Sequence, residues 1–271
     1  MKETTSRPPP GDRLPRAGGT LTEALALGSR EVVALVGAGG KTTAMFRLAR
    51  ELQAKGAGVV VTTTTKILPP PAGPDLLAIV EGDEARLAPQ VQAALGSGRV
   101  AVVARALTPE GKLDGIAEAW VAGLAALPGV THVLVEADGA AQKPLKAPRE
   151  GEPVIPSSAT VVVPVVGADA LGRPLSAEAV HRPERVAALV GLAPGQRIDA
   201  QAIATVLLDP RGSTWGKPAT ARVVPVVNKA DSPERLTAAR EIAAALRREG
   251  AERVVVAAAA GVPPVVELYQ G

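Results

Sequence analysis

The chain has 271 residues, 46% of them hydrophobic and 21% charged, which is long and apolar enough to bury a core and excludes a disordered, collagen-like or low-complexity protein. Basic residues number 30 and acidic residues 27, for a net charge of +3, and there is no cysteine; disulfides, thiolate metal sites and thiol chemistry are therefore excluded on this chain. With Trp 2, Tyr 1 and Phe 1 as the whole aromatic content, the core must be made of Val, Leu, Ile and Ala, and the stacking platforms that hold single-stranded nucleic acid are lacking.

Met1 through Gly19 combines Pro8, Pro9 and Pro10 with Lys2, Arg7, Arg13 and Arg16 against Glu3 and Asp12, a composition that predicts a flexible tail. Two of the three surplus positive charges lie there, so the remainder is close to neutral and predicts no nucleic-acid partner. No apolar run approaches the ~20 residues that span a bilayer, which predicts a cytoplasmic protein with no membrane partner. Structure is expected to start near Thr20 and to continue as one domain over residues 20–271. Val-rich runs follow at 32–36, 59–62, 76–80, 100–104, 133–135, 160–166, 223–227 and 254–258. Continuous apolar runs of this length indicate strands buried on both faces. Amphipathic stretches separate most of them; the clearest begins at the Ser232-Pro233 cap, carries Leu236, Ala239, Ala243 and Leu246 on one stripe, and stops at Gly250. The alternation predicts an α/β fold, a mostly parallel sheet with helices on both faces and functional loops at the carboxyl ends of its strands.

Three of those strand ends carry chemistry. The first strand runs into Gly37-Ala38-Gly39-Gly40-Lys41-Thr42-Thr43, which opens a helix through Met45, Leu48 and Leu52. Backbone amides of such a loop converge on phosphate oxygens, the helix N-terminus adds its positive end, Lys41 reaches the terminal phosphates and the Thr42 hydroxyl can ligate Mg²⁺. The spacing is G-x-x-G-K-T-T rather than the commoner G-x-x-x-x-G-K-[ST], and resembles the loop of Mur-type ligases. The strand ending at Val135 is followed by Glu136 and Asp138, two apart and so on one side of an extended segment; they are the candidates to hold Mg²⁺ and to position an attacking water. Glu136-x-x-Gly139 also resembles a segment of metallochaperone GTPases that serve nickel enzymes. Asn228-Lys229-Ala230-Asp231 resembles the N-K-x-D base-recognition motif of G proteins, which implies that Asp231 reads guanine, Asn228 braces the loop, the Lys229 stem covers the ring, and Ala258 or Ala259 offers an amide to the base. The catalytic candidates are thus Lys41, Glu136 and Asp138. Lys66 after the Thr62–Thr65 run, Lys143, Lys146 and Arg149 after Gly139, and His181 with Arg182 are candidates to hold an anionic second substrate. His132 and His181 are the two histidines of the chain, and without cysteine they do not suggest a zinc site.

Taken in order, VGAGGKTT at 36–43, VTTTTKI at 61–67, VEADGAAQKPLKAP at 135–148, EPVIP at 152–156, VVGADALGRPL at 165–175, VHRPE at 180–184 and NKAD at 228–231 resemble the YqeC family. The resemblance implies a P-loop NTPase fold and an accessory role in the maturation of selenium-dependent molybdenum hydroxylases. Partners implied are a nucleotide with Mg²⁺ and a molybdenum cofactor intermediate or a hydroxylase maturation protein. GTP is the expected nucleotide, acting through a GTPase; the alternatives are an ATP-dependent kinase or ligase that activates a cofactor intermediate, and a non-catalytic nucleotide-gated adaptor. Any selenium must be carried by a partner or by the pterin dithiolene, since this chain has no thiol.

Overall fold

The computed structural model describes residues 17–70 and 73–271. Of the expected tail, residues 1–16 lie outside the described residues, and Ala17–Gly19 is irregular and exposed. Among the described residues the first regular element is the short helix α1 (Leu21–Ala24), on which Thr20 and Glu23 form a capping box, two donors at the helix end being satisfied reciprocally.

Among the described residues the Val-rich runs, joined by Val265–Gln270, form one sheet of ten strands, β1 (Glu31–Gly37), β2 (Val59–Thr63), β3 (Leu76–Val80), β4 (Val100–Ala104), β5 (His132–Glu136), β6 (Val161–Gly167), β7 (Arg222–Val223), β8 (Val226–Asn228), β9 (Arg253–Ala257) and β10 (Val265–Gln270). Their spatial order is β10-β9-β8-β6-β1-β5-β2-β4-β3, with β7 beside β6. All neighbours are parallel except β9 and β10. The run at 223–227, expected as one strand, is interrupted: Pro225 has no N–H to give a ladder, although Val224 still donates to the Val162 carbonyl and the Pro225 carbonyl still accepts from Val255. Strand β10 was not expected from the sequence; it is an edge strand whose Val265 and Leu268 pack on one face of the sheet and Val266 and Tyr269 on the other, and its buried Glu267 is paired with Arg240.

Side-chain alternation divides each strand between two cores. Val33, Leu35, Val61, Leu134, Val163 and Val255 pack under α1 and α2 (Lys41–Ala54). Their neighbours Val32, Ala34, Val60 and Val133 pack under α3 (Leu87–Gly96) and α4 (Trp120–Ala126). Val166, Val227, Val254 and Val256 face α5 (Pro183–Val190), α6 (Ala200–Leu208) and α7 (Pro233–Arg248) on that same side. Burial on both faces is why these strands read as unbroken apolar runs. No helix among the described residues is long and apolar enough to cross a membrane.

The topology puts β1 between β5 and β6, so the loops after these three strands emerge side by side at one edge of the sheet. A parallel ladder of Leu145–Lys146 with Val180–His181, and an antiparallel sheet of Lys66–Ile67, Ala106–Leu107 and Leu113–Asp114, follow strands that end at this edge.

Candidate functional site

The loop after β1 is seated on β6. Gly37 and Gly39 have φ of +88° and +77°, and a Cβ would lie 2.5 Å from the Val165 carbonyl oxygen at Gly37 and 2.0 Å from the Gly167 nitrogen at Gly39. Only glycine gives both the left-handed backbone and this approach. The amides of Gly37, Ala38 and Gly39 are donated within the protein, to Asp138 Oδ2 at 3.0 Å, the Val165 carbonyl at 2.8 Å and the Lys143 carbonyl at 3.1 Å. Expected as phosphate donors, these three instead fix the loop. The first four amides of a helix have no intrahelical acceptor; in α2 they belong to Gly40, Lys41, Thr42 and Thr43, and no side chain caps this end.

Lys41 turns inward at 3% exposure, its ammonium 2.7 Å from the Gly37 carbonyl oxygen, 3.2 Å from Asp138 Oδ1 and 3.6 Å from Glu136 Oε1. Burial disfavours its charge, but Asp138 and Glu136 outweigh burial and hold its pKa above the ordinary value. Burial pushes Glu136 above the usual carboxylate range, against the pull of Lys41. Thr42 Oγ1 donates to Glu136 Oε2 at 2.7 Å. The structure therefore brings Lys41, Thr42, Glu136 and Asp138 into one cluster, as β1 and β5 are adjacent in register from Glu31↔His132 to Leu35↔Glu136. No group of three His, Cys, Asp or Glu able to cage a metal occurs among the described residues. One hydroxyl beside one carboxylate fits Mg²⁺, which keeps waters and binds through one or two protein groups plus substrate phosphates.

The Asn228 motif touches the same loop. Asn228 Nδ2 donates to the Gly39 carbonyl at 2.9 Å, and its Oδ1 accepts from the Ala259 amide at 3.0 Å. Asn228 thus ties the phosphate-type loop to the turn after β9. Ala259 is committed to Asn228 and Ala258 to the Pro264 carbonyl, so neither amide is open to a base as expected. Lys229, at φ +64°, pairs with Asp169 at 2.9 Å. Asp231 is exposed and pairs with Arg235 at 2.6 Å, one turn into α7.

Three of the expected second-substrate residues, Lys146, Arg149 and Arg182, converge on Glu152, which was not among the expected site residues. Glu152 accepts from Lys146 at 3.1 Å, Arg149 at 2.8 Å and both Arg182 terminal nitrogens at 2.7 and 3.1 Å. Although burial alone would raise its pKa, Arg182 and Lys146 bring it down to about 2. Lys146 and Arg182 are consequently internal partners and not free hands for an outside anion. Lys143 donates to the Glu178 carbonyl, and Lys66 sits exposed on the small sheet opposite Asp114. His181 is half-buried beside Arg182, and burial followed by the Arg182 and Lys146 charges lowers its pKa. His132 lies at the start of β5, away from this edge, with Gly28 and Thr131 as partners. The threonine run is structural in part: Thr63 and Thr64 donate to the Glu136 and Val154 carbonyls. Glu152 had a signal, the EPVIP stretch, but its partners come from segments that only the fold brings together.

The family model described as YqeC protein matches residues 33–184, more than half of the chain. The chain belongs to the YqeC family. The Uncharacterized protein YqeC of Escherichia coli (strain K12) is 32% identical over 223 residues, covering 82% of this chain and 85% of that protein. The span of the YqeC model includes the Gly37–Thr43 loop, Glu136, Asp138, Lys146, Glu152 and Arg182, and stops before Asn228 and Asp231.

Proposed function

We propose that this YqeC protein binds a nucleoside triphosphate with Mg²⁺ at the N-terminus of α2 and serves as an accessory factor in maturing selenium-dependent molybdenum hydroxylases. The observation that carries the nucleotide reading is the uncapped start of α2, whose four free amides lie beside the Lys41, Thr42, Glu136 and Asp138 cluster. Helix dipole and amides together favour a phosphate there. Thr42 and Glu136 would hold Mg²⁺, which supplies charge neutralisation of the phosphates. Lys41 would move onto the terminal phosphates, and Asp138 would orient an attacking water or hydroxyl. GTP is the favoured nucleotide, with Asp231 as the base reader and Asn228 as the brace. The selenium and molybdenum role is carried by family resemblance; with no cysteine in the chain, a cofactor intermediate or a maturation protein would bring the selenium.

A second reading, an ATP-dependent kinase or ligase acting on a cofactor intermediate, has one observation in its favour: the Asp231 carboxylate is already taken by Arg235. Calorimetric titration of Mg²⁺ with GTP, ATP and XTP into wild type, Lys41→Ala and Asp231→Asn separates them. The GTP reading expects tight GTP binding lost in Lys41→Ala, and a shift toward XTP in Asp231→Asn, because the new amide can donate to the xanthine C2 carbonyl where the carboxylate accepted from guanine. Equal or tighter ATP binding by wild type moves the assignment to the second reading; no binding of any triphosphate refutes both.

A further inference from the structure

Asp138 lies between two lysines. It is 1% exposed. On one side Lys41, from α2, places its ammonium 3.2 Å from Oδ1, an oxygen that makes no aligned hydrogen bond. On the other, Lys146, also 1% exposed, lies 2.9 Å from Oδ2 as an ion pair and donates to the Gly139 carbonyl at 2.7 Å and to Glu152 Oε2 at 3.1 Å. Two aligned hydrogen bonds thus anchor Lys146 beside the carboxylate, and its far partner Glu152 is gripped by Arg182 and Arg149. Lys41 is held less completely: one carbonyl contact at 2.7 Å and two carboxylates beyond 3 Å.

To reach a phosphate, Lys41 must leave Asp138. A buried carboxylate that loses its one cation is strongly disfavoured, whereas one that keeps a second, fixed cation is not. We propose that Lys146 is the standing counter-ion of Asp138, a positioning residue that leaves Lys41 free to exchange the carboxylate for a triphosphate. The inference rests on the nucleotide-binding reading above. It accounts for a fully enclosed lysine that faces no opening, and for the Glu152 and Arg182 pair behind it, which keeps Lys146 from following Lys41. The Gly37 amide, at 3.0 Å, and the Lys146 ammonium, at 2.9 Å, both hold Asp138 Oδ2, so the oxygen that Lys41 would vacate is Oδ1.

A double-mutant cycle tests it, with non-hydrolysable GTP and ATP analogues in Mg²⁺ as probes and the melting temperature of the free protein as a check on folding. Lys146→Met is expected to weaken analogue binding about 10- to 100-fold, and Lys146→Arg to retain most of the affinity. In an Asp138→Asn background there is no stranded charge, so adding Lys146→Met should change affinity by less than about threefold. A role in structure alone would give the same loss in both backgrounds and overturn the proposal. Should Lys146→Met fail to fold, Asp138→Asn and Asp138→Asn/Lys146→Met carry the comparison: matching affinities support the counter-ion role, and a loss in the double variant overturns it. If wild type binds neither analogue, the nucleotide reading falls and this inference with it. If wild type binds and Lys146→Met binds as well, this inference alone falls.

Discussion

Asn228→Ala is the substitution whose consequences the structure defines best. The Asn228 side chain is one residue's reach between two loops that are far apart in the chain: its amide nitrogen satisfies the Gly39 carbonyl and its oxygen satisfies the Ala259 amide. It is 4% exposed and Ala259 3%, so neither loop group gains ready access to water when the side chain is removed. Two net hydrogen bonds contribute about 1 kcal/mol each, and a buried group left unpaired costs about 1–3 kcal/mol; the expected loss is about 2–4 kcal/mol in the stability of the free protein. Urea unfolding of both proteins measures it, as a lower midpoint at an unchanged slope. Gly39 also precedes the free amides of α2, so triphosphate affinity should drop as well, tenfold for about every 1.4 kcal/mol of bracing lost. Asn228→Asp sharpens the point: it keeps an acceptor for Ala259 but sets a carboxylate against the Gly39 carbonyl, and should be no more stable than the alanine variant. A loss below about 0.5 kcal/mol for Asn228→Ala, the size of an ordinary surface change, would refute the bracing role and leave the loop to its contacts with β6, Asp138 and Lys143.

Two further outcomes follow from the same geometry. Gly39→Ala should cost about 2–4 kcal/mol, since its Cβ would sit 2.0 Å from the Gly167 nitrogen in a left-handed backbone; Gly56→Ala, at φ +80° with nothing within 4 Å, should cost only the left-handed share of about 1–2 kcal/mol, and equal losses in urea unfolding would refute the contact with β6. The Glu152 pKa is depressed from 4.5 to about 2, so its contribution is complete above pH 4.5 and is lost as the pH falls through about 2; in that window stability should fall by up to about 1.4 kcal/mol per pH unit, and Glu152→Gln should flatten this acid limb, an unchanged limb in the variant showing that other carboxylates cause it.

Much of this protein was legible without coordinates because the signals are local. A strand covered on both faces must be apolar throughout, so β1, β2, β4, β5, β6 and β9 announce themselves as Val-rich runs, and the half-exposed edge strand β3 is read the same way from Leu76, Leu77 and Ile79. Ser232, Pro233 and Gly250 mark the ends of α7 because caps act on the nearest turn. The glycines and Lys41 mark the loop after β1 because backbone conformation is a property of a few consecutive residues. Edge strand β10 escaped notice, since the paired Glu267 breaks its apolar run after Val265 and Val266. What only the tertiary structure decided is which charges meet. Sequence spacing placed Glu136 and Asp138 together but could not bring Lys146, Glu152 and Arg182 to them, nor show that Lys146 and Arg182 are consumed inside the protein. It could not show that Asn228 reaches Gly39 across 189 residues of chain. Pairing between charges depends on distance and burial, which the order of strands in the sheet sets, and that order is a non-local outcome of packing rather than a pattern in any one segment.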